Sequence, residues 1–325
     1  MQHGGNLHDA KALFPEAPEP WIDLSTGINP NAYPVSLPDL RAFTRLPSPQ
    51  EVGHTEAVAA RAYGVSDPAR VVATAGSQAT IRLLPRLRDK SKVAIVGPTY
   101  SEHERSWVSE GHDIQVATSL ADALALTPDV VVIANPNNPD GRIADPTELA
   151  EAASILHRRG GWLVVDEAFA DLDDEASIAG KKLPGTIVLR SFGKAYGLAG
   201  VRLGFAICDP VFSVRIREEL GPWAVSGPAL ALGAQALGDA AWLADQKVRL
   251  ARACLVLDEL LTRADFHIVG GTRLFRLARH PQAGDWFERL ARSGIWVRKF
   301  NHEQTILRLG IPQEEMWDRL RGALA

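Results

Sequence analysis

The chain has 325 residues, 46% of them hydrophobic, which is enough apolar material for a substantial core and roughly two domains. A net charge of -4, a sequence pI of about 6.2 and scattered lysines and arginines exclude a basic surface for nucleic acid or an anionic membrane. The N-terminus lacks a signal-peptide pattern, and no apolar run reaches the roughly 18 residues that span a bilayer. We therefore expect a soluble cytoplasmic protein with no nucleic-acid or membrane partner.

Short β-branched segments alternate with helical segments between residues 71 and 209, which is typical of a mostly parallel sheet with helices on both faces. The predicted strands are 71–74, 93–96, 130–134, 162–165, 186–189 and 203–208. The predicted helices between them are 77–87, 101–110 and 145–159. The fold class is therefore predicted to be α/β, with a doubly wound domain at its centre.

After Gly221 the pattern changes to one long helix, marked by an apolar stripe at helical spacing. Short strands around 273–277, 295–298 and 305–309, with a closing helix from residue 312, complete a smaller α+β domain. The first 40 residues have too little apolar periodicity to fold alone. We predict an N-terminal arm at 1–40 that packs on the small domain, a large domain at 41–220 and the small domain at 221–325.

The histidines, the cysteines and one acidic segment do not show a sequence pattern typical of a metal site. None of the nine histidines has the spacing of a zinc site. The acidic run formed by Asp171, Asp173, Asp174 and Glu175 resembles a metal cluster, but we interpret it as a solvated loop. Cys208 and Cys254 lie in apolar surroundings without a CxxC pair, which predicts buried free thiols in a reducing compartment.

The segment from Ser191 to Lys194 is the most informative one, because it follows a predicted buried strand and precedes a glycine-rich stretch containing Arg202. A lysine at a strand end can hold an aldehyde cofactor as a Schiff base. Ser191 and Arg202 can bind its phosphate, the arginine through a planar fork that matches phosphate oxygens. This is the chemistry of a pyridoxal phosphate site, although a glycine-rich surface turn with a solvated lysine would share the same pattern.

Other polar residues follow the predicted strands in turn. Gly76 and Ser77 open a helix, where free backbone N–H groups attract phosphate, but Ser77 could equally be an N-cap. Tyr100 could stack on a flat ring or simply pack, and Asn138 lies in a proline-rich turn that turn chemistry alone would explain. Asp166 ends a central strand, where a buried carboxylate needs a cationic partner such as a pyridinium nitrogen.

In this order and spacing the residues resemble the class I and II aminotransferase group of fold-type I pyridoxal phosphate enzymes. The resemblance spans nearly the whole chain and implies that Lys194 carries the cofactor, that Asp166 pairs with the ring nitrogen and that Tyr100 stacks on the ring. It implies that Asn138 bonds the ring oxygen. The phosphate-binding residues that it implies are Gly76, Ser77, Ser191 and Arg202.

Within that group the closest branches are the histidinol-phosphate aminotransferases and the cobalamin-pathway L-threonine O-3-phosphate decarboxylases. Three features are similar to the decarboxylases: the N-terminal segments His3–Asn6 and Asp23–Pro30, Phe169 in place of a usual tyrosine, and Arg298 as a second arginine beside Arg308. The resemblance thus implies decarboxylation of phosphothreonine, with transamination as the alternative. The substrate contacts that it implies are His3, Gly4, Gly27, Asn138, Arg298 and Arg308.

The resemblance also implies a homodimer with sites at the subunit interface. One departure is Leu46, which occupies the position where many relatives have a tyrosine that reaches the phosphate in the neighbouring subunit. Leucine cannot donate that hydrogen bond. A non-enzymatic binding or regulatory module is the remaining alternative, and it predicts that no cofactor is bound covalently to lysine.

Overall fold

The computed structural model describes residues 4–173, 175, 177–301 and 303–325. Its strands, in chain order, are β1 (Ile22–Asp23), β2 (Val71–Thr74), β3 (Lys92–Val96), β4 (Asp113–Ala117), β5 (Val130–Ala134), β6 (Trp162–Asp166), β7 (Thr186–Ser191), β8 (Gly204–Ile207), β9 (His267–Thr272), β10 (Phe275–Arg279), β11 (Ile295–Trp296), β12 (Arg298–Lys299) and β13 (Ile306–Gly310).

The α-helices are Leu7–Leu13, Arg41–Thr44, Pro49–Ala62, Ser77–Leu83, Ser101–Ser109, Leu120–Ala125, Pro146–His157, Phe192–Ala195, Pro210–Leu220, Gly227–Leu237, Ala240–Arg263, Ala283–Arg292 and Trp317–Leu324. Short 3₁₀ turns cover Pro68–Arg70, Leu84–Leu87, Ala170–Leu172, Ala199–Val201 and Glu314–Met316. The three helices predicted in the large domain are present. The Pro146–His157 helix begins as expected, with the Asp145 side chain accepting a hydrogen bond from the Thr147 N–H and Pro146 in the first turn.

The described residues form two compact units. One unit comprises Tyr33–Asn138 and Arg142–Leu243, and the other comprises the residues up to Ala32, Pro139–Gly141 and Ala244–Ala325. These boundaries differ from the predicted ones at 40 and 220. The glycine and proline at 221–222 end a helix without ending the unit, because Thr55 Oγ1 donates to the Leu230 carbonyl and ties the next helix to Pro49–Ala62.

The first unit contains a seven-stranded sheet in the order β2-β8-β7-β6-β5-β3-β4. Its strands are parallel except β8, which runs antiparallel to both neighbours. Every residue of β5 and β6 is buried, so both faces of the sheet are covered, because successive side chains point to opposite faces. The predicted mostly parallel α/β sheet is confirmed.

The edge strand β4 is absent from the strands predicted from the sequence. Four of its five residues are exposed or half-buried, and they include Asp113 and Gln115. An edge strand that faces water lacks the continuous β-branched run of a central strand, so its sequence resembles that of a loop.

The second unit contains a four-stranded antiparallel sheet in the order β12-β13-β10-β9. The short strand β1 pairs in parallel with β11, which places Ile22 beside Ile295. Within the described residues, no helix has the length and hydropathy needed to cross a membrane, and no group of three or more His, Cys, Asp or Glu residues could hold a metal ion.

Candidate active site

The first unit contains a pocket at the carboxyl edge of its sheet. The predicted cofactor residues that line it are Ser77, Tyr100, Asn138, Asp166, Ser191, Lys194 and Arg202. They come from strand ends and following turns that lie far apart in the chain but meet because parallel strands end at the same sheet edge.

Lys194 lies in the one-turn helix Phe192–Ala195, directly after β7. Its side chain is half-buried, and Nζ lies 5.6 Å from the centroid of the Phe169 ring, which also lines the pocket. Gly193 has no room for a side chain, because a Cβ there would lie 2.6 Å from the Ala199 Cα. This close backbone packing fixes the turn that carries the lysine.

Asp166 ends β6 and is buried, and its carboxylate has two partners. Oδ2 lies 2.8 Å from Nε2 of His103, which is itself buried, and Oδ1 accepts a hydrogen bond from the Ala168 N–H. A carboxylate accepts hydrogen bonds, so this contact selects the His103 tautomer with its proton on Nε2. The orientation of Asp166 is therefore fixed from the helix Ser101–Ser109.

Tyr100 immediately precedes that helix. Its hydroxyl donates to Oε1 of Gln78 at 3.1 Å, and its ring is edge-on to the His103 ring. Gln78 also lines the pocket. Tyr100 and Gln78 are therefore hydrogen-bonded neighbours in the pocket lining, and Tyr100 also contacts the buried His103 ring.

Another part of the pocket lining combines hydroxyl groups with a guanidinium. Gly76 has a φ of +82°, and a Cβ there would lie 2.8 Å from Nη2 of Arg202. Arg202 itself has a φ of +57°, a left-handed conformation that costs free energy outside glycine and asparagine. Ser191 pairs with Gly204 in the sheet, and a Cβ at Gly204 would overlap the Ser77 backbone nitrogen. Two glycines therefore let Ser77, Ser191 and Arg202 converge, which suits a phosphate.

Behind the pocket, the sheet buries a second set of charges that the sequence pattern does not reveal. Nη1 of Arg190 donates to Glu167 Oε2 at 2.7 Å, and Nη2 donates to Asp171 Oδ1. The interpretation of Asp171 as part of a solvated loop is wrong, because its side chain is buried and its carboxylate compensates the Arg190 charge. Asp173 is half-buried and Glu175 exposed, whereas Asp174 lies outside the described residues.

The second unit holds the predicted substrate arginines. Arg298 on β12 and Arg308 on β13 are register partners in an antiparallel pair. Arg308 is buried, and its Nη2 donates to the Ser25 carbonyl at 2.8 Å. Burial and then the charge of Arg298 lower the pKa of Arg308 to about 9, with Asp23 acting in the opposite direction. Two like charges placed opposite each other repel, so an anion between them would be stabilising.

Gly4 and Gly27, two of the predicted substrate contacts, lie in the same unit. Gly4 packs so tightly that a Cβ there would overlap the Ser25 carbonyl oxygen, and Gly27 is buried two residues further along the chain from Ser25. His3 lies outside the described residues.

Both cysteines are buried free thiols, as predicted. Burial raises the pKa of Cys208 to about 11, and burial likewise raises the pKa of Cys254. Neither thiol lines the pocket of the first unit. Their burial indicates packing rather than catalysis.

The chain matches the family described as aminotransferase class I and II over residues 37–324. It belongs to that family. It is 41% identical to a threonine-phosphate decarboxylase of Pseudomonas aeruginosa over 329 residues, which covers 100% of this chain and 97% of the relative.

Two solved structures of this family share the fold. A histidinol-phosphate aminotransferase from Clostridium acetobutylicum superimposes with a TM-score of 0.83 at 20% identity, covering 93% of this chain and 97% of the other. A histidinol-phosphate aminotransferase from Sinorhizobium meliloti, solved in complex with pyridoxal-5'-phosphate, gives a TM-score of 0.79 at 20% identity, covering 98% and 93%. These likenesses establish the fold-type I architecture expected from the sequence.

Proposed function

We propose that this chain is a pyridoxal phosphate-dependent carboxy-lyase that converts L-threonine O-3-phosphate to (R)-1-amino-2-propanol O-2-phosphate in cobalamin biosynthesis. The observation that carries this assignment is the relative named threonine-phosphate decarboxylase, which is 41% identical over the whole chain. Curated relatives named histidinol-phosphate aminotransferase are 26–30% identical to this chain and cover 60–92% of it. The pocket chemistry supports the cofactor, because an amine, a carboxylate and phosphate-binding groups line one cavity.

We assign the pocket residues as follows. Lys194 Nζ forms the covalent bond to the cofactor, and the Asp166 carboxylate, held by His103, pairs with its ring nitrogen. Tyr100 stacks on the ring and Asn138 bonds the ring oxygen. The phosphate is bound by Gly76, Ser77, Ser191 and Arg202. When bound, the cofactor supplies an electron sink for the electron pair released as the bond to the substrate carboxylate breaks.

The substrate carries two anionic groups, a phosphate and a carboxylate. We assign their binding to Arg298 and Arg308, whose charges lie opposite each other across two strands. Gly4, Gly27 and Asn138 are proposed as further contacts, together with His3. The orientation in which these residues would hold the substrate would then select the bond at Cα that breaks. We propose that Lys194 Nζ would donate the proton that Cα gains after carbon dioxide leaves.

We also propose that the protein is a cytoplasmic homodimer. The segment 35–46 exposes apolar side chains, most of them more than half exposed: Leu37 at 87%, Leu40 at 73%, Leu46 at 66% and Phe43 at 56%. Such a run is more typical of an interface than of a solvated surface. Leu46, which replaces the tyrosine of many relatives, would contribute apolar contact there rather than a hydrogen bond to the cofactor phosphate.

The reaction is tested by incubating the purified holoenzyme with L-threonine O-3-phosphate. Carbon dioxide should be released without any keto-acid acceptor, and aminopropanol phosphate should accumulate. The alternative, a histidinol-phosphate aminotransferase, is supported by the fold neighbours of that name. This alternative predicts activity that requires both histidinol phosphate and 2-oxoglutarate. Such activity in place of decarboxylation would contradict the assignment as a lyase.

The covalent assignment is tested by Lys194→Ala. Borohydride reduction should attach the cofactor irreversibly to the wild type and not to the variant, and decarboxylation should be lost. Lys92→Ala, which removes an exposed lysine at the start of β3, is the matched control and should behave as wild type. A reducible adduct that persists in Lys194→Ala would contradict the assignment.

A further inference from the structure

The environment of Arg308 depends on a residue 283 positions earlier in the chain. The Arg308 guanidinium lies over the Phe275 ring, 4.9 Å from its centroid, and its Nη2 donates to the Ser25 carbonyl. Ser25 is completely buried. The direction of that carbonyl therefore helps to orient the guanidinium.

The orientation of Ser25 is fixed by Asp23. Oδ1 of Asp23 accepts hydrogen bonds from both the backbone N–H of Ser25, at 2.9 Å, and its hydroxyl, at 2.5 Å. A carboxylate that accepts from a residue two positions later forms a local turn and restricts the backbone there. The two bonds together prevent rotation of the Ser25 peptide and side chain.

The Ser25 hydroxyl has a second role, because it also accepts a hydrogen bond from the Gly5 N–H at 2.8 Å. The backbone at this contact excludes larger residues. A Cβ at Gly4 would overlap the Ser25 carbonyl oxygen, and Gly5 has a φ of +88°. The glycine pair is thus held against the same residue that contacts Arg308.

We propose that Ser25 is a positioning residue for substrate binding: its carbonyl orients Arg308, and its hydroxyl secures the Gly4–Gly5 backbone beside that arginine. The proposal rests on the proposed function for the identity of the substrate. The link between Ser25 and the N-terminal segment is a property of the protein alone. Loss of the hydroxyl removes the acceptor for Gly5 and one of the two bonds to Asp23, so both the segment and the carbonyl gain freedom.

The experiment compares Ser25→Ala with wild type in steady-state decarboxylation of L-threonine O-3-phosphate. We expect KM to rise about tenfold, the size expected for one lost buried hydrogen bond, while kcat stays within about threefold. The absorbance of the lysine-bound cofactor should be unchanged. Ser293→Ala is the matched control, because that hydroxyl lies in the same unit and donates only to the Arg289 carbonyl of its own helix.

Hydrogen exchange tests the link without any substrate. Amides of the peptide that begins at Gly4 should exchange about tenfold faster in Ser25→Ala, whereas amides of the Pro146–His157 helix should not change. Asp23→Asn should also raise KM and speed amide exchange in this peptide, but by smaller factors than Ser25→Ala does. This second variant tests the proposal even if Ser25→Ala folds poorly. Unchanged KM together with unchanged exchange would overturn the proposal. If wild type does not decarboxylate phosphothreonine, the proposed function fails, and the exchange result still decides the role of Ser25.

Discussion

Each unit of the molecule buries an arginine, and the two arginines have opposite surroundings. Arg190 in the first unit contacts two carboxylates, those of Glu167 and Asp171. Burial disfavours its charge, but the two carboxylates outweigh burial and raise the pKa of Arg190. Arg308 in the second unit faces Arg298 across the strands, and its pKa is lowered.

We interpret Arg190 as a structural charge and propose that the charge of Arg308 serves to bind a ligand. Burial of an ion is costly unless an opposite charge and hydrogen bonds compensate it. Around Arg190 the protein provides that compensation with two carboxylates. Around Arg308 it places a second cation, so an incoming carboxylate or phosphate is favoured by both arginines. We infer that the two carboxylates give Arg190 a structural role, whereas the half-buried Arg298 opposite the buried Arg308 favours binding of an anion.

The largest expected effect is on catalysis. Arg308→Met should lower kcat/KM for phosphothreonine by about 10²- to 10³-fold, which corresponds to losing one partner of a buried charge pair with the substrate. The unliganded variant should lose less stability than Arg190→Met, because relief of the repulsion from Arg298 partly offsets loss of the hydrogen bond to the Ser25 carbonyl. Kinetics and thermal unfolding measure the two quantities.

The control is Arg279→Met, which removes an exposed arginine from the neighbouring strand β10 and should leave kcat/KM unchanged. Severe unfolding of Arg308→Met without a specific loss of substrate binding would place Arg308 in the same class as Arg190 and break the comparison.

Arg190→Met should mainly lower the stability of the protein, whereas Arg308→Met should mainly lower kcat/KM. It leaves Glu167 and Asp171 buried without their shared cation, and we expect the free energy of unfolding to fall by about 3–5 kcal/mol. Denaturant titration of the cofactor-free protein measures this free energy of unfolding. Adding Glu167→Gln and Asp171→Asn to the Arg190→Met variant should restore part of the lost free energy of unfolding, because none of the three positions then carries a buried charge. A change below about 1 kcal/mol in Arg190→Met would contradict the structural role.

Anion binding should depend on pH through Arg308. Below about pH 9 its guanidinium is protonated and attracts the substrate anion, and as the pH rises through about 9 the proton and the attraction are lost. At a phosphothreonine concentration of about 100 times Kd, ligand-induced stabilisation should be about 2.7 kcal/mol at pH 7 and should shrink at pH 10. Differences in Tm with and without ligand at each pH measure this effect.

In the unliganded protein, Arg308 changes stability with pH in the opposite direction. Between about pH 9 and the ordinary pKa of arginine, the unfolded chain binds more protons at Arg308 than the folded chain does, so this group makes the free energy of unfolding rise with pH. Arg308→Met should lose the pH dependence of ligand stabilisation. Equal dependence in both proteins would assign it to another group.

The smallest expected effect concerns alkylation of the two cysteine thiols, one of which lies in each unit. Their raised pKa values and burial predict that Cys208 and Cys254 resist alkylation at pH 8 in the native state. Labelling in rising denaturant, followed by peptide mass spectrometry, therefore reports each unit separately. Arg190→Met should expose Cys208 at lower denaturant than in wild type and leave Cys254 unchanged if the units unfold independently. Rapid labelling of either native thiol would contradict the prediction.

The first unit was largely predictable because its site residues follow strands with a strong apolar signal. Asp166, Ser191 and Lys194 could be placed at one edge, since parallel strands must end there. His103 could not be predicted, because it lies inside a helix and its contact with Asp166 joins residues 63 positions apart. Asp171 was misread for a related reason: the sequence shows four acidic residues together and does not show which of them faces a buried arginine.

The second unit was less predictable because its geometry depends on pairing between distant segments. Arg298 and Arg308 were identified by resemblance, but their opposite register is visible only in the sheet. In the first unit the direction of β8 was likewise not predictable, because it depends on the connection through the glycine-rich turn and a short apolar run does not reveal it. Strand direction and register are properties of the assembled sheet.

The pairing of β1 with β11 has a consequence for biosynthesis. Ile22 and Asp23 leave the ribosome well before their strand partners, Ile295 and Trp296, have been made. The seven-stranded sheet lies between them in the chain and can form first, since domains generally fold as units during synthesis. The Ser25 turn and the Arg308 strand should therefore assemble only after residue 308 has been made, so a nascent chain stalled before residue 295 would have its large sheet without the two arginines that we propose bind the substrate.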